Sequence, residues 1–320
     1  MLIVQIAKGP VRRHYLPCAI VLALLFSGCM SGGSAFQPTI EFTEQLTAFN
    51  GTTWGMRVPP REDGAEYTIN TAEDGVSQQD FKSSIPGRTG QTWLMVKRET
   101  DKTQLAYAIV SWDEDNPSDY LTGGWWMLYP GHPDQFDLFE SEDGIFFVDG
   151  PELDINHPPD MPVTGTATYA GRTSGIYQYV DDNKEYSLTE FGSQAQFTAD
   201  FTRGTLRGCV GCDSEIAVQD FHYAALTQNV DALRADPTGY RLRFGPSPYN
   251  PDGTFSANDV SVEHVVREVT TTKGFYGGQF SNIPDDQGNP RLVTGIYRAD
   301  FMESGGARGR FFGLWNTFGE

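Results

Sequence analysis

The second half of the chain alternates apolar and polar residues with a period of two. Phe197, Ala199 and Phe201 fall on one side of this pattern, and Thr198, Asp200 and Thr202 on the other. Val293, Gly295, Tyr297, Ala299 and Phe301 alternate in the same way against Thr294, Ile296, Arg298 and Asp300. Successive side chains of a strand point to opposite faces, so the pattern predicts half-buried antiparallel strands. The two segments also resemble each other. Ala199-Asp200-Phe201 leads to Arg203-Gly204, Leu206 and Gly208, while Ala299-Asp300-Phe301 leads to Arg308-Gly309, Phe311 and Gly313. Each reads as strand, turn and return strand, with glycine where neighbours approach closely. The longer second turn, Met302 to Ala307, makes this a weak repeat and not a solenoid. With segments at 165–171, 175–180, 216–221, 240–244, 262–269 and 275–280, the count reaches roughly eight to ten short strands. A sheet of that size closes naturally into a barrel, which removes its edges. Residues 221–234 read equally as a helical excursion or a long loop.

The first half is less regular. Strands are predicted at 93–96, 104–112 and 123–129, the last stopped by Pro130. Turn-rich runs at 113–117 and 130–133 separate them, and no stretch sustains a helical period. Asn156-His157-Pro158-Pro159-Asp160-Met161-Pro162 is a proline-rich hinge and predicts a boundary between domains 41–160 and 161–320.

The amino-terminal region has a different character. Lys8, Arg12 and Arg13 precede a short apolar run at 19–26, which is signal-peptide anatomy and too short to span a bilayer. The run ends in Phe26-Ser27-Gly28-Cys29. This resembles the lipobox of bacterial lipoproteins, although Phe26 stands where leucine is usual. The resemblance implies a signal peptide over 1–28, an acylated Cys29 carrying chains such as palmitate, and a flexible tether over 29–40. A plain secretion signal cut near Ala35 is the alternative. The chain carries 23 Lys and Arg against 42 Asp and Glu, a formal charge of −19. Removal of 1–28 leaves 20 cations and a charge of −22. Such a surface excludes nucleic acid as a partner and a polybasic membrane patch as an anchor. The membrane contact expected is the lipid alone.

Several segments together resemble a known family. Thr164-Gly165 through Tyr169 and Gly171, with Gly175-Ile176-Tyr177, resemble the opening barrel strands of transferrin-binding protein B-like surface lipoproteins. The runs 197–208, 274–280, 295–301 and 309–313 resemble the later ones. The resemblance covers about half of the chain, from Thr164 onward. It implies an all-β protein with a small-sheet "handle" (41–160) followed by an eight-stranded antiparallel β-barrel (161–320). It further implies a non-enzymatic outer-membrane lipoprotein that binds an extracellular protein or solute, in a family linked to iron acquisition. Transferrin-binding members have two such lobes and this chain has room for one, so it is similar to the single-lobe members.

Cys209-Val210-Gly211-Cys212 is the only CxxC. In an exported chain it reads as a disulfide that pins a hairpin turn. A redox role would need a helix amino terminus, and zinc would need two further ligands, for which His222 and Asp213 are weak candidates. No HExxH, P-loop, GxSxG or GxGxxG is present, so no catalytic residue, metal or cofactor is expected. The acidic runs at 113–115 and 285–286 read as solvated loops. Trp125 and Trp126, with Trp112, read as handle core packing or as an exposed aromatic anchor for a ligand. Two other functions stay open. One is a lipocalin-like carrier whose inward Ala167, Ala199, Gly295 and Ala299 leave room for a small apolar ligand. The other is a structural envelope lipoprotein.

Overall fold

A computed structural model describes residues 46–47, 55–58, 67–70, 75–82, 87–98, 102–116, 120–130, 143–153, 157–219 and 235–320. Every regular element among them is a β-strand, so the all-β class holds. Strands β1 (Leu46–Thr47), β2 (Gly55–Val58) and β3 (Tyr67–Asn70) form a three-stranded sheet. A five-stranded antiparallel meander follows: β4 (Gly75–Lys82), β5 (Arg88–Arg98), β6 (Lys102–Asp113), β7 (Tyr120–Pro130) and β8 (Asp143–Asp149). Its β5, β6 and β7 contain the segments predicted at 93–96, 104–112 and 123–129.

The remaining strands build one large sheet. They are β9 (Thr166–Val180), β10 (Tyr186–Asp200), β11 (Thr205–Val210), β12 (Ala217–Gln219), β13 (Tyr240–Pro248), β14 (Thr254–Ala257), β15 (Val260–His264), β16 (Val269–Phe280), β17 (Leu292–Glu303) and β18 (Arg308–Gly319). Hydrogen bonds link them in the order β14-β16-β17-β18-β9-β10-β11-β13-β15, and β12 pairs with β10. Every pairing in this sheet is antiparallel.

Two sequence readings change here. The segments at 165–171 and 175–180 are one strand, β9, because Gly171 and Gly175 are not breaks. A Cβ on either would fall on the backbone of β18, so these glycines permit a close strand approach in mid-ladder. The segment at 262–269 is instead two strands and a turn. The His264 ring ends β15 by accepting the backbone N–H groups of Val266 and Arg267 on Nδ1 (3.1 and 3.0 Å). The segment at 216–221 contains the short β12, and residues 220–234 lie outside the described ones.

The large sheet curls back on itself. Phe244 of β13 and Tyr297 of β17 are five strands apart in the ladder, ~24 Å in a flat sheet. Their ring centroids are 5.2 Å apart. The concave face is one continuous core that includes Tyr169, Tyr177, Phe197, Phe244, Tyr297 and Trp315. Rings stack across it, with Tyr177 on Phe311 and Phe197 on Trp315, both at 4.5 Å.

Glycines set how these rings lie. Phe197 is the cross-strand partner of Gly208, Tyr297 of Gly313 and Trp315 of Gly295. In each pair the ring occupies the place a Cβ on the glycine would take. This explains the glycines of the weak repeat: Gly208 and Gly313 are the spaces into which inward rings of the preceding strand fold.

The outer face is not uniform. In β17, six consecutive residues from Leu292 to Tyr297 are buried, so both faces are covered there. The outward Ile176, Ile296, Phe312 and Leu314 are all buried, and β7 and β8 of the meander approach β17 and β18 on this side. The chain leaving β8 is fastened to the β16–β17 loop. Glu152, 3% exposed, accepts hydrogen bonds from Ser281 Oγ (2.9 Å) and Arg291 Nε (2.7 Å), and a second from the Arg291 guanidinium. Its carbonyl takes the Asn282 N–H (2.9 Å).

These pairings generate a prediction. Gly208→Val gains strand propensity but forces Phe197 from its place, and overpacking of this kind costs about 1–3 kcal/mol. Urea unfolding should show the variant less stable by that amount, whereas Val at the outward, exposed Arg207 should be nearly neutral.

Candidate functional site

Of the residues singled out by sequence, Cys29 lies outside the described residues. Trp125 and Trp126 lie in β7, where Trp125 pairs in register with Tyr107 and Phe146, and Trp126 with Ala106 and Ile145. Their side chains are outside what the structure describes. Trp112 is half-buried near the end of β6. Cys209 and Cys212 lie at disulfide distance, with Cα atoms 6.0 Å apart. Gly211, between them, has φ 78°, which suits a looped-out turn. Strands β11 and β12 both run antiparallel to β10 and lie in line along it, so the disulfide sits at a loop between two collinear strands and not at the hairpin turn expected from the sequence. The loop that follows is held on β10, where Ser214 Oγ accepts the Gln194 N–H (3.1 Å).

The acidic runs act locally. Asp113 Oδ1 accepts the N–H groups of Asp115 and Asn116 (both 2.9 Å), and Asp285 Oδ1 those of Gln287 and Asn289 (both 2.8 Å). Each carboxylate closes its own turn. Among the described residues no three His, Cys, Asp or Glu side chains gather into a metal-sized group.

Cys209 borders a groove of about 560 Å³ on the outward face of β18, β9, β10 and β11. Strand register assembles it from two cross-strand rows. In the first, Phe318, Ala170, Gln196 and Cys209 lie side by side; in the second, Asn316, Arg172 and Gln194 do. Ala170 is the small residue between Phe318 and Gln196, and it leaves the floor of the groove. Arg172, Gln194 and Gln196 are exposed, and Phe318 is half-buried. Among the described residues the Arg172 guanidinium and both glutamine amides have no hydrogen-bond or ion-pair partner, and the Phe318 ring stacks on no other ring. Asp213 and Glu320 supply carboxylates at the same groove. The sequence reading missed Arg172, Gln194, Gln196 and Phe318. Their only linear signal is that Gln194 and Gln196 are two apart on one strand face; their alignment with Arg172 and Phe318 exists only once β9, β10 and β18 are in register.

A second polar cluster lies at one end of the inner core. Glu303, 8% exposed, accepts hydrogen bonds from Tyr179 (2.9 Å), Tyr240 and Arg267 (3.4 Å). Burial, reinforced by the Glu303 carboxylate, pushes the Tyr179 hydroxyl up to about 12 and raises that of Tyr240. The Arg267 guanidinium lies 5.8 and 5.6 Å from the two tyrosine ring centroids. With its carboxylate supplied by three donors, the cluster closes the end of the core.

On the outer face Asp300 lies between Arg298 (2.7 Å) and Arg310. Burial alone would raise its pKa, but hydrogen bonds from Arg298 and the charges of both arginines outweigh this and hold it below 3.8.

Set against known proteins, the chain matches no family model and no curated protein.

Two outcomes follow from this geometry. Asp300 has a folded pKa below its unfolded value, so its contribution is complete at neutral pH and is lost as pH falls through the folded pKa. Asp300→Asn should therefore destabilise at pH 7, and the gap to the parent protein in urea unfolding should narrow below about pH 4. Replacing both Cys209 and Cys212 by serine removes a crosslink over a very short loop. The loss should stay under about 2 kcal/mol and leave the far-ultraviolet strand signal unchanged.

Proposed function

We propose that the chain is a non-enzymatic lipoprotein, anchored in the bacterial outer membrane by an acylated Cys29. In this reading it binds an extracellular protein or solute on the outside of a handle-and-barrel lobe, as its resemblance to transferrin-binding protein B-like lipoproteins implies. The meander and the small sheet are then the handle, and the curled sheet is the barrel.

The barrel reading is supported at the two ends of the ladder. Strands β14 and β15 are separated only by Asn258 and Asp259, and pair with β16 and β13 respectively. They read as two halves of one bent strand. An isolated bridge between Tyr249 and Phe255 joins the β13 end to β14, and the Gly245 N–H bonds the Asp259 carbonyl (2.9 Å). Counted this way the wall has eight positions, the number the resemblance implies, with β12 as a short addition to β10.

The observation that carries external binding is the filled core. Small inward residues that suggest room for a carried ligand are occupied by rings: Gly295 pairs with Trp315, and Ala299 with Phe311. Trp315 and Phe311 are both 0% exposed. An eight-stranded barrel packed with aromatic rings leaves the ligand the outer face and the loops.

The reading is tested in the source bacterium with the full-length chain. Growth with an alkyne-bearing fatty acid should label the protein, and Cys29→Ala should abolish the label. Protease applied to intact cells should remove it from the surface. An unlabelled protein, or one that resists protease until the outer membrane is opened, would overturn the surface-lipoprotein reading.

A further inference from the structure

We infer that the outward groove over β18, β9, β10 and β11 is a binding site for a neutral polyhydroxylated ring, that is, a saccharide of one or two residues. This rests on the reading that ligands are taken on the outer face, and names the chemistry of one of them.

Gln194 and Gln196 stand two apart on one strand face, and Arg172 is the cross-strand partner of Gln194. Their side chains therefore leave the sheet from a frame about 5 by 7 Å, comparable with one sugar ring. Each glutamine amide both donates and accepts, and the guanidinium only donates. Sugar hydroxyls do both, so one ring edge can answer all three heads. On the far side of Ala170 stands Phe318, about 10 Å from Gln196 across two strand spacings. Its unstacked ring supplies the apolar surface that the C–H face of a pyranose needs. An apolar wall, a polar wall and a small-residue floor match a ligand with one apolar face and a polar rim.

Other ligand classes fit less well. An anion would meet Arg172, but also Asp213 and Glu320 in a chain of formal charge −19. An aliphatic ligand would bury the three polar heads without partners, at a cost in desolvation. A peptide in extended form binds at sheet edges, where backbone groups are free. Here the four strands are hydrogen-bonded to one another, so the groove has no free strand edge for a peptide to join. The volume of about 560 Å³ lies within the ~300–1,000 Å³ usual for small-molecule sites.

The test uses the full-length protein in detergent. It is applied to an array of neutral mono- and disaccharides, with acidic saccharides and short peptides as comparison probes. Any sugar that binds is then titrated by calorimetry. Binding to neutral sugars is expected. Phe318→Ala should weaken it about tenfold, as loss of a stacking partner does. Gln196→Leu should weaken it similarly, and Ala170→Trp should abolish it by filling the floor. Melting temperatures close to the parent protein's would show that these outward changes leave the fold intact. If no neutral sugar binds, if only acidic sugars or peptides bind, or if all three variants bind as the parent does, the inference is wrong. The outer-face reading fails on a different result: a ligand that quenches the fluorescence of buried Trp315 and shields it from quenchers, with no effect of the groove variants.

Discussion

The curled sheet depends on one recurring contact, an inward aromatic ring lying over a glycine on the next strand. Phe197 over Gly208, Tyr297 over Gly313 and Trp315 over Gly295 repeat it around the wall. A ring that folds along the sheet rather than standing away from it occupies little depth. Sharply curved sheets need that economy, because inward side chains from opposite walls converge on a shared axis. Large rings at every inward position would overfill the space, and small residues throughout would leave voids. Alternating the two sizes across strands lets Phe244 meet Tyr297 and Trp315 from the far wall.

The outer surface is divided by the same sheet. On the β17 and β18 side the outward Ile296, Phe312 and Leu314 are covered, and Arg298, Arg310 and Asp300 enclose Phe312 between charged neighbours, with both guanidiniums within 6 Å of its ring. On the β9 to β11 side Arg172, Gln194 and Gln196 point outward and remain in water. One face of each strand therefore builds the common core, and the other is assigned by position round the sheet either to packing or to solvent.

Much of this was legible in the linear pattern, for a physical reason. Period-two alternation survives in β10 and β17 because each buries one face in an aromatic core, and side-chain direction there depends only on position along the strand. The closeness of Cys209 and Cys212 was readable because CxxC is a local feature, but the expected hairpin turn is a loop between β11 and β12, which lie in line along β10. Three things were not. Gly171 and Gly175 look like breaks in one dimension but serve a contact with β18. His264 looks like a strand residue, yet its ring ends the strand by bonding to backbone that follows it. The groove was invisible because Phe318 and Gln196 are 122 positions apart in sequence and become neighbours across Ala170 only through two registers.

The ion pair between buried Glu152 and half-buried Arg291 has a mechanical meaning. The peptide chain enters the large sheet through the segment after β8, so any pull between the amino-terminal region and the sheet must pass along it. At Glu152 that load is shared: the carboxylate transmits part of it to Arg291, immediately before β17, and the backbone carbonyl passes part to Asn282, just beyond β16. Force then reaches β16 and β17 by two added routes instead of entering through the end of β9 alone. Peeling breaks hydrogen bonds one after another, whereas a load applied in shear must break many together. Tension on the segment after β8 therefore falls on several strands of the sheet at once.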